Sequence, residues 1–292
     1  MTKFCPIRIP MPEPLPSMKG KVVLITGATR GIGRAGAEAM AALGAELILV
    51  GRDEVRLAET KAACLAKGAA GIRTYLADLS LRKGVADLAH RITAYEPALD
   101  ILWNNAGGWF AERIVTSEGY EKTWAMNHLA YFDLTQLLFP LLERSGDPRV
   151  LCTASEAHRW GKMEWDNLQG EKKWDGWKAY CNSKLANLLY VVEQGTKLGN
   201  SRIRICAVHP GLVNSAFGNE NQGIRSHAFL WLKRTFGRTN EQGADTAVWL
   251  AARPESPVQG GYYSNRAAKT PSAAAQNTAD ARRLWQISEA GP

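Results

Sequence analysis

Lys21-Val22-Val23-Leu24-Ile25-Thr26-Gly27-Ala28-Thr29-Arg30-Gly31-Ile32-Gly33 is the stretch that decides the fold. Its first half is a short apolar run ending in a glycine turn, which suits a strand buried within a parallel sheet. Its second half opens the alanine-rich helical pattern from Gly33 to Gly44. Gly27 permits a tight turn, Gly31 lets the backbone approach a ligand, and Gly33 lets the helix pack closely. With Thr29, Arg30 and Ile32 between them, these glycines form a loop over the helix amino terminus, whose N–H donors and positive dipole end attract a phosphate. An ordinary glycine-rich turn between strand and helix reads the same way, so the meaning of this loop depends on its surroundings.

Outward from the loop the pattern alternates. Glu46–Val50 reads as a second strand, Asp53–Lys67 as a helix capped by Asp53, Ile72–Ala77 as a third strand and Leu81–Tyr95 as a third helix. Ile101–Trp103 reads as the fourth strand and runs into Asn104-Asn105-Ala106-Gly107. Ser117–Leu142 reads as a long helix broken near Met126, and Arg149–Thr153 as the fifth strand. Tyr180–Leu198 is a helix, Ile203–Val208 the sixth strand, Ala244–Ala252 a helix and Gly260–Tyr263 an edge strand. Strands alternating with helices predict an α/β fold, a Rossmann-type doubly wound parallel sheet in a single domain spanning residues 19–292. Ligands of such sheets bind at the carboxyl ends of the strands, near the topological switch point. Two stretches break the rhythm, near 156–177 and 214–240, and read as lid segments over that end.

Composition narrows the function classes. A hydrophobic share of 46% and a charged share of 22% in 292 residues are those of an ordinary globular chain. Five scattered cysteines (Cys5, Cys64, Cys152, Cys181, Cys206) include no Cys-x-x-Cys pair, so neither a disulfide framework nor a metal site is expected, and a reducing, cytoplasmic location is. The formal net charge of +8 serves solubility or attracts an anionic cofactor. Lys and Arg form no long run, which speaks against nucleic-acid binding. No apolar stretch reaches the ~20 residues of a membrane span. Residues 1–18, with prolines at 6, 10, 12, 14 and 16, read as an extended arm that is laid on the body or disordered.

Tyr180-Cys181-Asn182-Ser183-Lys184 carries the chemistry. Residues four apart share a helix face. An ammonium beside a phenol favours the phenolate and draws the tyrosine toward the range of a working acid or base. The glycine loop with Gly-x-x-x-Gly-x-Gly spacing, Asn104-Asn-Ala-Gly107, Asn127, Ser155, Tyr180, Lys184 and Pro210-Gly211 occur together and in order. In this the chain resembles the short-chain dehydrogenase/reductase family from about residue 20 to its end. Ser155-Glu-Ala-His158, Asp166-Asn-Leu-Gln169, Val208-His-Pro-Gly-Leu-Val213 and Ala281-Arg-Arg-Leu-Trp285 resemble its retinol dehydrogenase-like branch.

The resemblance implies roles. Tyr180 exchanges a proton with the substrate oxygen, Lys184 tunes the tyrosine and holds the nicotinamide ribose, Ser155 hydrogen-bonds the substrate oxygen, and Asn127 holds a water that links Lys184 to solvent. Asp78 and Leu79 border the adenine, and Asn105, Ala106 and Gly107 line the adenosine side. Pro210, Val213 and Ser215 meet the nicotinamide end, with Ser215 where the family usually has threonine. Each residue also has a plainer reading: Ser155 as a strand-end serine, Asn127 as a cap of the second half-helix, Tyr180 as core and Asp78 as a helix cap. Gly51-Arg52, at the end of strand two, replaces the acidic residue that binds the ribose hydroxyls of NAD. Arg52 and Arg30 favour NADP(H) through charge-assisted bonds to a 2′-phosphate. His158 and His209 read as structural hydrogen-bonders.

Such relatives act on lipophilic aldehydes, ketones and alcohols. Many carry an amino-terminal membrane anchor, and none is read here. Trp109, Trp160 and Phe217 are candidates for an apolar substrate wall, with Trp165, Trp174, Trp177, Phe229, Leu230 and Trp231 nearby in sequence. The expected function is an NADP(H)-dependent oxidoreductase interconverting carbonyl and alcohol on a bulky apolar substrate, possible as a homo-oligomer through the helices that flank the sheet. A non-catalytic NADP(H)-binding sensor or scaffold on the same fold is the alternative.

Overall fold

The computed structural model describes residues 14–214 and 237–290. Ser215, Phe217, Phe229, Leu230, Trp231, most of the 214–240 segment and residues 1–13 of the arm lie outside the described residues. Eight strands are described: β1 (Val22–Thr26), β2 (Glu46–Gly51), β3 (Gly71–Leu76), β4 (Ile101–Asn104), β5 (Arg149–Thr153), β6 (Arg204–Val208), β7 (Gly261–Ser264) and β8 (Ala267–Lys269). They form one sheet in the order β3-β2-β1-β4-β5-β6-β7-β8, parallel except for β8. The chain turns from β1 to β2 on one side and crosses to β4 on the other. The switch point therefore lies beyond Thr26, where the glycine loop begins.

Residue alternation builds a core on each face. Val23, Ile25, Leu47, Leu49, Ile101 and Trp103 face one cluster, while Leu24, Ile48, Val50, Leu102 and Val150 face the other. Each such side chain, fully buried, contributes roughly 1.5–3 kcal/mol. The first face is covered by α1 (Gly31–Ala42), α2 (Glu54–Ala66) and α7 (Asn240–Ala252); the second by α3 (Arg82–Tyr95), α5 (Ala130–Glu143), α6 (Gly176–Leu198) and α8 (Thr278–Ala290). Helix α1 sits tightly on the sheet, since a Cβ at Gly36 would lie 2.2 Å from the Trp103 ring. The end of the amino-terminal arm is docked: Met18 is buried and its N–H donates to Leu43 O at 2.8 Å.

Several elements differ from the sequence reading. The long helix begins at α4 (Lys122–Trp124), not at Ser117, because Val115 and Glu121 pair as an antiparallel bridge and the Glu121 carboxylate caps the turn. Its break near Met126 is a π-helical turn, Ala125–Leu129. The strand expected at Gly260–Tyr263 is not the edge. As β7 it is followed by β8 through a two-residue turn at Asn265 and Arg266, with φ of 56° and 55°. Helices α6 and α7 start earlier than expected, at Gly176 under the Asp175 cap and at Asn240 under a Thr239–Gln242 capping box. Helix α8 had no counterpart in the sequence reading.

Candidate active site

The carboxyl end of the sheet is stapled before any functional side chain is placed. Thr26 Oγ1 accepts from Asn105 N at 2.9 Å and Ala106 N at 3.0 Å, and Asn105 Nδ2 donates to Thr26 O at 2.9 Å. Asn105 Oδ1 accepts from Thr153 Oγ1 at 3.4 Å. The loops after β1, β4 and β5 are thereby held together, and the side chain of Asn105 is spent on that task. Ala106 packs against the core, while Gly107 is exposed.

The glycine loop fits a pyrophosphate. Gly27 and Gly31 adopt φ of 69° and 58°, which favours glycine. A Cβ at Gly33 would lie 2.3 Å from Gly27 O and 2.5 Å from Asn105 Nδ2. Arg30 is the N-cap of α1 but makes no capping bond, and the first turn holds no acidic side chain, in contrast to the capped starts of α2, α6 and α7. Among the described residues neither the N-cap nor the first turn of α1 supplies a side-chain acceptor for its first N–H donors, which suits an anion site. Thr29 is half-buried with its methyl over Gly51, and Ile32 packs between α1 and α7. Arg30 and Arg52 are both exposed. Asp78 Oδ1 accepts from Ser80 N at 3.0 Å and Ser80 Oγ at 2.7 Å, and these bonds, with the charges of Arg52 and Lys122, hold its carboxyl below the usual range despite partial burial. Asp78 therefore closes a turn and does not cap the following helix, whose N-cap is Leu81, contrary to its plainer reading, and it senses Arg52. Leu79 is buried in the core. At the far end Pro210 is half-buried, and buried Val213 pairs with Arg238 as a parallel bridge.

Ser155, Tyr180, Lys184 and Asn127 converge on this end. Ser155 follows β5, and its Oγ accepts from Ala157 N at 3.1 Å, so it caps the 3-10 turn Glu156–Trp160 while also hydrogen-bonding Tyr180. Lys184 is buried and donates from Nζ to Thr153 O at 2.9 Å; the same Nζ lies 5.8 Å from the Tyr180 ring centre. A Cβ at Gly107 would come within 3.1 Å of Asn127 Oδ1 and 3.7 Å of Lys184 Nζ. Asn127 does not cap α5. Its Nδ2 donates to Gly108 O at 2.9 Å and Ser183 Oγ at 3.0 Å, and its Oδ1 accepts from Gly108 N at 2.8 Å.

Electrostatics here depart from the sequence expectation. The ammonium was expected to draw the phenol down, but burial dominates and raises the Tyr180 pKa, with the Ser155 hydrogen bond opposing it. Burial likewise lowers Lys184 to about 8. The physical reason is shared: low polarity favours the neutral form of both groups, and Lys184 directs its ammonium to a backbone carbonyl rather than to the phenol. Burial therefore favours the protonated phenol at Tyr180.

An aromatic cover lies over it. Trp177, on the first turn of α6, is 5.7 Å from Tyr180, and Trp109 packs edge-on to Trp177 at 5.5 Å. Trp160 does not join this cluster and is 68% exposed. Trp177 takes the place expected of it; its spacing of three from Tyr180 was the available signal. The 156–177 segment is strapped to the loop after Gly107, with Trp174 Nε1 donating to Ala111 O at 2.8 Å and Gln169 Oε1 accepting from Glu121 N at 2.8 Å. His158 is structural, its ring nitrogens engaged by Ser155 O at 2.6 Å and Ser272 N at 3.1 Å. His209 is half-buried, and its partial desolvation lowers its pKa to about 4. Among the described residues no group of acidic, His and Cys side chains could hold a metal, and no helix is long and apolar enough to cross a membrane.

The sequence profile of the short chain dehydrogenase family matches residues 21–223. A proposed daunorubicin C-13 ketoreductase, DnrU, of Streptomyces sp. (strain C5) is 36% identical over 287 residues, covering 97% of this chain and 97% of its own. Retinol dehydrogenase 11 of Homo sapiens is 35% identical over 277 residues, covering 93% of this chain and 85% of its own. Among solved structures, Pseudomonas aeruginosa RhlG in an NADP active-site complex superposes with a TM-score of 0.67 at 27% identity, covering 84% of this chain and 94% of that one.

Proposed function

The chain belongs to the short-chain dehydrogenase family, and from that premise we propose an NADP(H)-dependent carbonyl–alcohol oxidoreductase acting on bulky apolar substrates, with Tyr180 as acid and base. That it is an oxidoreductase acting on CH–OH and C=O groups follows from the family and from its ketoreductase and retinol dehydrogenase relatives. The observation that carries the finer reading is the meeting of the Tyr180 phenol, the Ser155 hydroxyl and the Lys184 ammonium beside Gly107 and Asn127.

When bound, NADP(H) supplies or accepts the hydride. The residues that would hold it are the glycine loop from Gly27 to Gly33, Arg30, Arg52, Asp78, Gly107, Lys184, Pro210 and Val213. In the direction of reduction, the Tyr180 hydroxyl gives its proton to the substrate oxygen. The Ser155 hydroxyl donates to that same oxygen and stabilises the charge that develops on it. Lys184 keeps a donor at the foot of the site, and Asn127 fixes the Gly108 backbone so that the floor does not move. The NADP-bound relative supports the phosphate reading, as do two exposed arginines near the end of β2. Trp109 and Trp177 beside Tyr180 support an apolar substrate, as do the daunorubicin and retinol for which the two relatives are named. We further read 156–177 as one wall of the substrate site and residues 1–18 as an arm docked at its end.

The test is NADPH oxidation against aliphatic, aromatic, steroidal and retinoid carbonyls, with Tyr180→Phe alongside. The expected result is turnover favouring large apolar carbonyls and abolished in the variant. Equal turnover of small hydrophilic carbonyls would remove the apolar wall from the account.

A further inference from the structure

Asn127 does not lie on a regular helix. It sits in the π turn Ala125–Leu129, a wider winding that recurs at functional sites because it re-aims a side chain. One side of the turn is fixed by Asn127 itself, bonded to both backbone groups of Gly108 and to Ser183. The other side is fixed by the next residue. His128 is fully buried, and its Nε2 lies 2.8 Å from Ser288 Oγ of the last helix.

The hydrogen-bond count decides the direction of that contact. Ser288 Oγ has one proton and donates it to Leu284 O at 2.8 Å. It must then accept from His128, which fixes the imidazole as the Nε2–H tautomer and leaves Nδ1 an acceptor facing the Asn187 amide of α6. Burial lowers the His128 pKa to about 3, so the ring stays neutral and the arrangement does not alternate with protonation. Ser288 is anchored in turn: its carbonyl accepts from Arg82 Nη2 at 3.2 Å, and Arg82 grips Asp133 through bonds of 2.7 and 2.6 Å. A core residue needed only to fill space would not require a polar ring with a defined tautomer at this position.

We propose that His128, braced by Ser288 of the carboxyl-terminal helix, is a positioning residue that holds the π turn in the register aiming Asn127 at Gly108. The last helix is then part of the catalytic apparatus although it touches no reacting atom. This rests on the reading in which Asn127 belongs to the catalytic set.

The test uses the full chain and compares Asn127→Ala, His128→Leu, His128→Gln, Ser288→Ala and the double variant His128→Leu/Asn127→Ala. For each, kcat with a turned-over carbonyl, the Kd for NADPH and the Tm are measured, with assays run well below every Tm. A small misplacement of a positioned group costs roughly tenfold or more in rate. We expect that loss in kcat for His128→Leu, a smaller loss for Ser288→Ala, and NADPH affinity within about twofold of the parent. Glutamine can present its Nε2 donor where the imidazole did, so His128→Gln restores most of the rate. The double variant is no slower than Asn127→Ala alone, because both remove one arrangement. An unchanged kcat in His128→Leu or Ser288→Ala, or losses that multiply in the double variant, would overturn the positioning role. Should His128→Leu fail to fold, Ser288→Ala and His128→Gln decide in the same way. A normal kcat in Asn127→Ala would instead remove Asn127 from the catalytic set, and the inference with it.

Discussion

A side chain at position 51 would have to displace Thr29: a Cβ there would lie 2.3 Å from Thr29 Cγ2. Glycine stands where an acidic residue would bind the ribose hydroxyls of NAD, and the next residue, Arg52, is exposed at the end of β2. Hydrogen bonds to charged groups contribute about 1.5–3 kcal/mol. Arg52→Ala should thus weaken NADPH binding roughly tenfold to a hundredfold and leave NADH within about twofold, read by fluorescence titration. Equal losses for both cofactors would remove the arginine from 2′-phosphate recognition. Which residues the structure gathers at the carboxyl end of the sheet was legible at this scale from type and order: the glycine loop, Ser155, Tyr180 and Lys184. The sign of the Tyr180 shift was not, because it depends on how dry the site is, and dryness comes from Trp109 and Trp177 folding over the phenol.

Helix α6 shows how elements carry the site. It begins at Gly176 because Asp175 Oδ1 accepts from Trp177 N at 3.0 Å and Lys178 N at 3.1 Å, and this start sets Trp177 and Tyr180 on adjacent turns. Replacing such a cap by alanine costs about 1 kcal/mol. Asp175→Ala should lower the urea midpoint accordingly without changing the slope, while Asp175→Asn retains most of the stability. An unchanged midpoint would show the cap to be idle. The parallel strands were legible because burial on both faces leaves continuous apolar runs. The β7–β8 hairpin was hidden because its turn, Asn265-Arg266, lacks the glycine that usually signals positive φ. Arg266 holds that conformation with a two-pronged ion pair to Asp245 of α7, a long-range contact no local pattern reveals. The π turn was visible only as a break, since nothing in Ala125–Leu129 spells a wider winding; His128 and Ser288 meet 160 residues apart.

Across the described residues, two buried histidines, His128 and His158, and the partly buried His209 make stability depend on pH. Burial depresses His128 to about 3 and His209 to about 4, and lowers His158 as well. An unfolded histidine takes up its proton near pH ~6.5, so between that value and the folded pKa the unfolded chain binds more protons. Stability therefore falls as pH drops through this window, by about 1.4 kcal/mol per unit for each histidine fully within it. Urea midpoints should be lower at about pH 5.5 than at about pH 7, and His128→Gln should flatten part of the slope; a flat profile in the parent would contradict the buried neutral state. The doubly wound sheet gathers loops from β1, β4 and β5 and the face of α6 at one end, and the central claim is that this gathering makes Tyr180 the proton donor. The measurement that tests it most directly is the turnover of Tyr180→Phe set beside its NADPH affinity. NADPH affinity should stay within about twofold of the parent while kcat falls by at least ~10²-fold, the low end of general acid catalysis. Retained turnover would contradict it and send the search for the acid elsewhere in the site.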